Sequence, residues 1–554
     1  MKKGLFALRT KLIFSALTGA VFIFLISCGG NPIAAAKELL AKYESAKEKT
    51  EEPQEKTSEL QVIPLPANVK VLEGQFTLRQ ETQVYHDGTP ESQNAAEFFA
   101  DWLKLPKPIK QISPQFPEGS ITFTSLVANE KFPEGGYKII TLPRCVKVLS
   151  SNASGLFYAG QTLRQLFWDN KTIGASEIID SPRYQWRGFL LDISRHFFDK
   201  EQIKRVIDRM ALHKLNSLQF HLSDDQAWRI EIKRYPKLIE IGSIGENGNP
   251  KAPSRFFTQQ EMKEIIEYAR ERHIRIVPEI EMPAHHGAAV RSYPEILACN
   301  PSHPTGMCCP GKDSTLRFLE GVLDEICETF DSPFIHIGGD ECSKTEWKTC
   351  PDCQKRMKDN HLNSYDELQS WFIKHFDKYL ADKGRRLIGW DDILDGGLAP
   401  DATVMSWRGS YHKMAANKGG LAAAKMGHDV VFTPVDYLYL DGPQFENVKD
   451  GHTYLGYRPM TNQKIYSYEP SDGFSPDEAK HILGVQANMW TEVCGAESDL
   501  EWKIFPRLST LAEIAWIQPD KKDYTAFEKR LEIHRERLVK SGINAAPVKS
   551  PNLK

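Results

Sequence analysis

The chain has 554 residues, 41% hydrophobic and 26% charged, which is long enough for more than one domain and normal for a folded globular protein. A formal net charge of −3, with 70 basic against 73 acidic residues, leaves no basic footprint for nucleic acid. Aromatic residues make up 10%, and several of the eleven tryptophans stand beside acidic residues.

The first 28 residues are set apart from any fold. Lys2, Lys3, Arg9 and Lys11 flank the start of a fifteen-residue apolar run, 12–26, the layout of a secretory signal and short for a spanning helix, which needs about 20 residues. The run closes on Leu25-Ile26-Ser27-Cys28. This resembles the lipobox of bacterial lipoproteins, in which the cysteine becomes the lipid-bearing first residue. An uncleaved anchor or a plain signal peptide is the alternative. The lipobox implies a lipid on Cys28 and an exported, membrane-anchored protein of a cell envelope, periplasmic or surface-facing. Residues 29–60, rich in Glu, Lys, Thr and Pro, read as a solvated and partly helical tether.

Residues 61–180 read as a small α+β domain, with strands at 136–141 and 146–149 and an amphipathic helix at 155–167. No chemistry is visible there. From 187 the chain alternates. Strands are predicted at 187–193, 216–222, 274–280, 333–338, 385–390, 402–407, 429–435 and 482–489, with helical patterns at 201–215, 259–272, 316–330 and 365–383. Eight strands with intervening helices predict a parallel (β/α)₈ TIM barrel over 181–517, leaving a charged helix and tail at 518–554.

An active site in such a barrel lies at the C-terminal strand ends. The residues there are acids, histidines and tryptophans: Asp192, Arg195 and His196; His221, Asp224 and Asp225; Glu279, Glu281, His285 and His286; His336, Asp340 and Glu341; Trp390, Asp391 and Asp392; Trp407 and Arg408; Tyr437, Tyr439 and Asp441; Trp490 and Glu492. Singly each has a structural explanation, since acids cap helices and tryptophans fill cores. Together they crowd one rim with groups that are costly to bury unpaired. Indole walls with carboxylates and Arg between them suit a sugar, whose ring faces are apolar and whose hydroxyls need partners. In His336-Ile-Gly-Gly-Asp-Glu341 the glycines would let a ligand approach the backbone, and Glu341 stands where a general acid would act. That role calls for a raised pKa, through burial or through Asp340. A glycine turn with two capping acids is the alternative.

Nine cysteines follow Cys28, so at least one thiol stays free or pairs between chains. Cys350-Pro-Asp-Cys353 has the spacing of half a zinc site, but the other close pair, Cys308-Cys309, has no spacer. A local disulfide or plain thiols are expected, with no metal and no cofactor.

Taken together, these segments resemble glycoside hydrolase family 20, the β-N-acetylhexosaminidases, from about residue 61 to 517. The likeness rests on Leu-Asp-Ile-Ser-Arg-His196, Phe-His221-Leu-Ser-Asp-Asp225, Pro278-Glu-Ile-Glu-Met-Pro-Ala-His285, His336-Ile-Gly-Gly-Asp-Glu341, Tyr439-Leu-Asp441, Trp490-Thr-Glu492 and Ala512-Glu-Ile-Ala-Trp516. It implies an exo-acting enzyme that removes terminal N-acetylglucosamine or N-acetylgalactosamine from glycans, with retention and with the substrate's own 2-acetamido group as nucleophile. It implies Glu341 as acid and then base, and Asp340 with Tyr439 on the acetamido group. Asp224 and His285 would be the pair that tunes the acid. Arg195, Asp441 and Glu492 would hold sugar hydroxyls, and Trp390, Trp407 and Trp490 would wall the pocket. Ala284 and Glu281 depart from the family's usual Gly and Asp. A disaccharide-releasing relative and a non-catalytic sugar-binding lipoprotein are the other readings.

Overall fold

The computed structural model describes residues 60–111, 116–125, 130–446 and 458–550. Cys28 and nearly all of the expected tether lie outside the described residues. The first part is a seven-stranded sheet built from β1 (Asn68–Thr77), β2 (Val84–His86), β3 (Ile109–Lys110), β4 (Ser120–Thr124), β5 (Tyr137–Leu142), β6 (Cys145–Leu149) and β7 (Thr172–Asp180), in the order β1-β7-β5-β6-β4-β2-β3. The sheet is mixed, antiparallel from β1 to β6 and parallel from β6 to β3. Helices α1 (Pro90–Leu103) and α2 (Ala153–Leu166) pack together on it.

The second part is a closed barrel of eight strands: β8 (Trp186–Asp192), β9 (Ser217–His221), β10 (Arg275–Glu279), β11 (Phe334–His336), β12 (Arg386–Trp390), β13 (Thr403–Ser406), β14 (Val430–Phe432) and β15 (Ile482–Met489). Each pairs in parallel with its neighbours, β15 closing on β8. Most of their residues are buried on both faces, as expected of parallel strands sheathed by helices. All eight predicted strands are present. The fourth stops at His336 because Gly338 and Gly339 take φ of +69° and +94° and leave the ladder.

The helices α3 (Lys200–Leu212), α4 (Gln259–Arg270), α5 (Asp313–Thr329), α6 (Pro351–Asp359) and α7 (Tyr365–Asp382) lie between successive barrel strands. Asp199 and Gln202 form a reciprocal capping box at the start of α3, and Thr258 with Glu261 does the same for α4. The first helix ends three residues before the predicted 215. Lys214 takes φ +58°, and the Leu215 N–H turns back to the Met210 carbonyl.

The two parts meet through polar contacts. Asp180, at the end of β7, accepts from Trp516 Nε1 at 2.9 Å and faces Lys214 Nζ at 3.3 Å. Arg187 on β8 donates to the Tyr158 hydroxyl at 2.9 Å. The last helix, α8 (Tyr524–Lys540), returns to the start of the described chain, where Arg530 and Arg537 donate to the carbonyls of Val62 and Gln61.

Candidate active site

Each of the first four barrel strands ends on a titratable residue, and the register sets these ends side by side. Asp192 pairs with His221, His221 with Glu279, and Glu279 with His336. All four are at most 1% exposed. Glu279 accepts from Gln219 Nε2 at 2.9 Å and Trp390 Nε1 at 3.0 Å, and lies 2.8 Å from His221 Nδ1 and 3.0 Å from His336 Nδ1. Burial alone would raise this carboxyl, but the two histidines hold it well below the usual range. Burial would likewise lower His221; Glu279 and Asp224 outweigh it and push the imidazole up to about 10. Sequence reasoning placed these four residues at strand ends and gave none of them a role. The signal was their shared position as the last residue of adjacent strands.

From this floor the contacts climb toward the rim. His221 Nε2 lies 2.8 Å from Asp224 Oδ2, which also takes Arg195 Nη2 at 2.6 Å. The other oxygen of Asp224 faces His285 Nδ1 at 3.4 Å. The far nitrogen of His285 lies 3.3 Å from Glu341 Oε2 and 3.6 Å from Asp340 Oδ2. Burial opposes charge on both Asp224 and His285. Arg195 and His221 nevertheless hold Asp224 well below its ordinary value, and Asp224 and Glu341 hold His285 well above. The outcome is an alternating file of charge, Glu279–His221–Asp224–His285–Glu341, from barrel floor to rim.

The two adjacent carboxylates differ in environment. The Asp340 side chain is 13% exposed and that of Glu341 54%. Burial pushes Asp340 up to about 7, whereas the hydrogen bond from His285 lowers Glu341. This corrects the sequence expectation of a raised Glu341: of the two adjacent carboxyls, Asp340 is the one that is raised. The reason is that His285 reaches Glu341 from a loop whose position the sequence does not display.

The glycines of the motif also have a different cause from the one expected. A Cβ on Gly338 would lie 1.6 Å from Glu281 Oε2, and one on Gly339 would lie 2.7 Å from the Ile393 side chain. They make room for protein, not ligand. Glu281, 1% exposed, has no hydrogen-bond partner on either oxygen among the described residues. Burial, with the nearby Asp340 and Glu279 charges, keeps its carboxyl well above the usual range. Glu341 and His285 have φ of +47° and +46°. For residues other than glycine this region stores on the order of 1–3 kcal/mol each, held by the surrounding structure.

Three indoles line the same cavity as these groups: Trp390, Trp407 and Trp490, with Tyr439. Trp407 stacks on Tyr439 at 6.2 Å and donates to Asp392, while Trp490 lies 5.9 Å from Trp390 and 6.3 Å from Tyr439. The Arg195 guanidinium sits 5.2 Å over the Trp490 ring. Tyr439 is set in place because its segment pairs with β15 at Asn488. Arg195 and Glu492 line the cavity, 3.9 Å apart, and one Glu492 oxygen has no partner among the described residues. Of the eleven residues that the resemblance assigns to the sugar site, Asp441 alone does not border the cavity. It is fully buried, both oxygens lack partners among the described residues, and burial beside the Glu492 charge pushes it up to about 8.

Residues 184–519 match the model of the glycosyl hydrolase family 20 catalytic domain, and 59–181 match that family's domain 2. A β-hexosaminidase of Porphyromonas gingivalis is 40% identical over 508 residues, spanning 88% of this chain and 64% of the relative. One from Vibrio furnissii is 31% identical over 84% of this chain and 78% of its own length. Among solved structures, β-N-acetylhexosaminidase from Bacteroides fragilis is 31% identical with a TM-score of 0.77, covering 89% of this chain and 99% of that one. The exo β-N-acetylglucosaminidase of Vibrio harveyi, solved with N-acetylglucosamine, gives 30% and 0.77, covering 89% and 79%.

Proposed function

The chain belongs to glycosyl hydrolase family 20, and from that premise we propose that it is an exo-acting β-N-acetylhexosaminidase working with retention through the substrate's 2-acetamido group. The observation that carries this reading is the shared contact of Asp340 and Glu341 with one nitrogen of His285, which brings oxygens of both carboxylates within 4.8 Å of each other. They stand side by side, whereas an inverting enzyme holds its carboxyl groups about 6.5–9.5 Å apart around a water. Substrate assistance is known for this family.

The indoles and Tyr439 would receive the faces of one terminal sugar, with Arg195 and Glu492 on its hydroxyls. Asp441 would join them once a hydroxyl reaches its unpartnered oxygens. An acetamide N–H donated to Asp340 favours its anion, and a leaving sugar lying over Glu341 shields it from water and raises its pKa. Both changes favour a proton on Glu341, where protonation of the glycosidic oxygen needs it. His285, backed by Asp224, holds Glu341 in place and stabilises its anion when it acts as a base.

The purified protein should release 4-nitrophenol from the aryl β-N-acetylglucosaminide and free one monosaccharide at a time from the non-reducing end of defined oligosaccharides. Release of disaccharide alone would assign it to the disaccharide-releasing enzymes, and sugar binding without turnover would make it a binding protein.

We further propose that Cys28 carries lipid and anchors the enzyme in a bacterial envelope, a reading supported by the apolar run ending on Leu25-Ile26-Ser27-Cys28. Cys28→Ser should lose metabolic lipid label and leave the membrane fraction. Retention of both the label and the membrane location would overturn the assignment.

A further inference from the structure

Four cysteine sulfurs converge away from the sugar cavity. Cys299 follows the short helix Pro294–Leu297, and Cys309 lies just before α5. Cys350 caps the N-terminus of α6 and Cys353 sits in its first turn. Their sulfurs all lie within 4.8 Å of one another, with Cys299–Cys353 at 3.8 Å, Cys309–Cys350 at 3.6 Å and Cys309–Cys353 at 3.5 Å. A tetrahedral centre with zinc–sulfur bonds of about 2.3 Å has sulfur–sulfur edges of about 3.8 Å. A disulfide would bring two sulfurs to about 2.05 Å and leave each with a single close partner. Here Cys309 and Cys353 each have two partners at nearly equal distance, the pattern of ligands arranged around a common centre. Cys309, Cys350 and Cys353 are buried, packed with Trp347 and Leu368.

We propose that Cys299, Cys309, Cys350 and Cys353 form a structural zinc site. Four thiolates fill a tetrahedral zinc and leave no position for water or substrate, so the site is structural and not catalytic. Zinc binding releases the thiol protons to solvent and forms four zinc–sulfur bonds, with no change of oxidation state. The sequence argument against zinc took Cys308 and Cys309 as the second pair. In the fold the chain turns between them: the Cys308 N–H bonds to the Pro283 carbonyl and that of Cys309 to the Leu297 carbonyl. Only Cys309 faces the cluster, and Cys299 supplies the fourth sulfur.

The location gives the site a purpose. Cys299 and Cys309 belong to the connection from β10 to α5, which carries His285, whereas Cys350 and Cys353 end the connection that follows β11, which carries Asp340 and Glu341. Zinc would tie together the two rim loops whose residues meet at the acid. The Cys308 backbone, held against Pro283 and accepting from Trp347 Nε1 at 3.2 Å, links the cluster to the segment that presents His285.

Metal analysis of the purified full chain should find about one zinc per molecule, retained through gel filtration. Serine at Cys299, Cys309, Cys350 or Cys353 should abolish retention during dialysis against a competing chelator. Cys327→Ser, outside the cluster, and Glu341→Gln, in the sugar site, should both keep the metal, which separates this proposal from the catalytic one. If the serine variants do not fold, cobalt exchanged into the unaltered protein should show sulfur-to-cobalt charge transfer and the visible bands of tetrahedral cobalt. A metal-free chain with these cysteines in two disulfides, or with four alkylatable thiols, would overturn the proposal. So would cobalt bands of octahedral, oxygen-ligated type.

Discussion

Replacing Glu341 with Gln is expected to lower kcat about 10²–10⁴-fold on oligosaccharides and other substrates with poor leaving groups. The loss should be far smaller on aryl glycosides whose phenol departs without a proton. The isosteric amide keeps a polar contact with His285 but has no proton to give, so the two substrate classes should separate. The measurement is a plot of log kcat/KM against leaving-group pKa for both proteins, which should be much steeper in the variant. Equal losses across the series would show that Glu341 does something other than protonate the departing oxygen. The acid limb of the pH profile offers a second reading of the same group. His285 lowers the Glu341 pKa in the free enzyme, so the site must regain a proton on Glu341 when substrate binds. The profile of kcat/KM should report the Asp340–Glu341 pair as a unit.

The second large effect concerns the substrate. A β-glucoside that matches the N-acetylglucosaminide but lacks the 2-acetamido group should be cut slower by several orders of magnitude, since a well-placed intramolecular nucleophile reaches effective molarities of about 10⁵–10⁸ M. In the proposed reading Asp340 accepts the acetamide N–H, which would align the carbonyl oxygen on the anomeric carbon. Successive fluorination of the acetyl methyl weakens that oxygen as a nucleophile, so kcat/KM should fall with each fluorine. Product anomers should be those of retention. A flat response to fluorination, or a sugar trapped on Asp340, would falsify substrate assistance and make Asp340 the nucleophile.

Much of this could be read in the chain before folding. Period and composition alone mark all eight barrel strands, because parallel strands buried on both faces must be continuous apolar runs and the helices between them must be amphipathic. The rule that a barrel acts at its C-terminal rim then gathers the strand-end acids, histidines and aromatics, and the resemblance to family 20 picks out among them Arg195, Asp224, His285, Asp340, Glu341, Trp390, Trp407, Tyr439, Trp490 and Glu492. The structure places all ten on one cavity. Asp441, picked out with them, does not border that cavity but is buried beside the Glu492 charge, with both oxygens unpartnered among the described residues.

What the sequence by itself determined is therefore the architecture and the barrel rim from which the site is drawn, since both follow from local pattern and strand order, whereas the choice of residues within that rim rested on the resemblance to family 20. The tertiary structure alone decided the state and purpose of the groups. Glu341 rather than Asp340 is the lowered carboxylate because His285 arrives from the neighbouring loop. Gly338 is small because Glu281 lies against it. Cys299, and not Cys308, completes the sulfur cluster because the chain turns between two adjacent cysteines. Charge interactions and steric exclusion act through a few ångströms of space, and residues 54 apart in the chain, such as Cys299 and Cys353, are brought to that distance only by the fold.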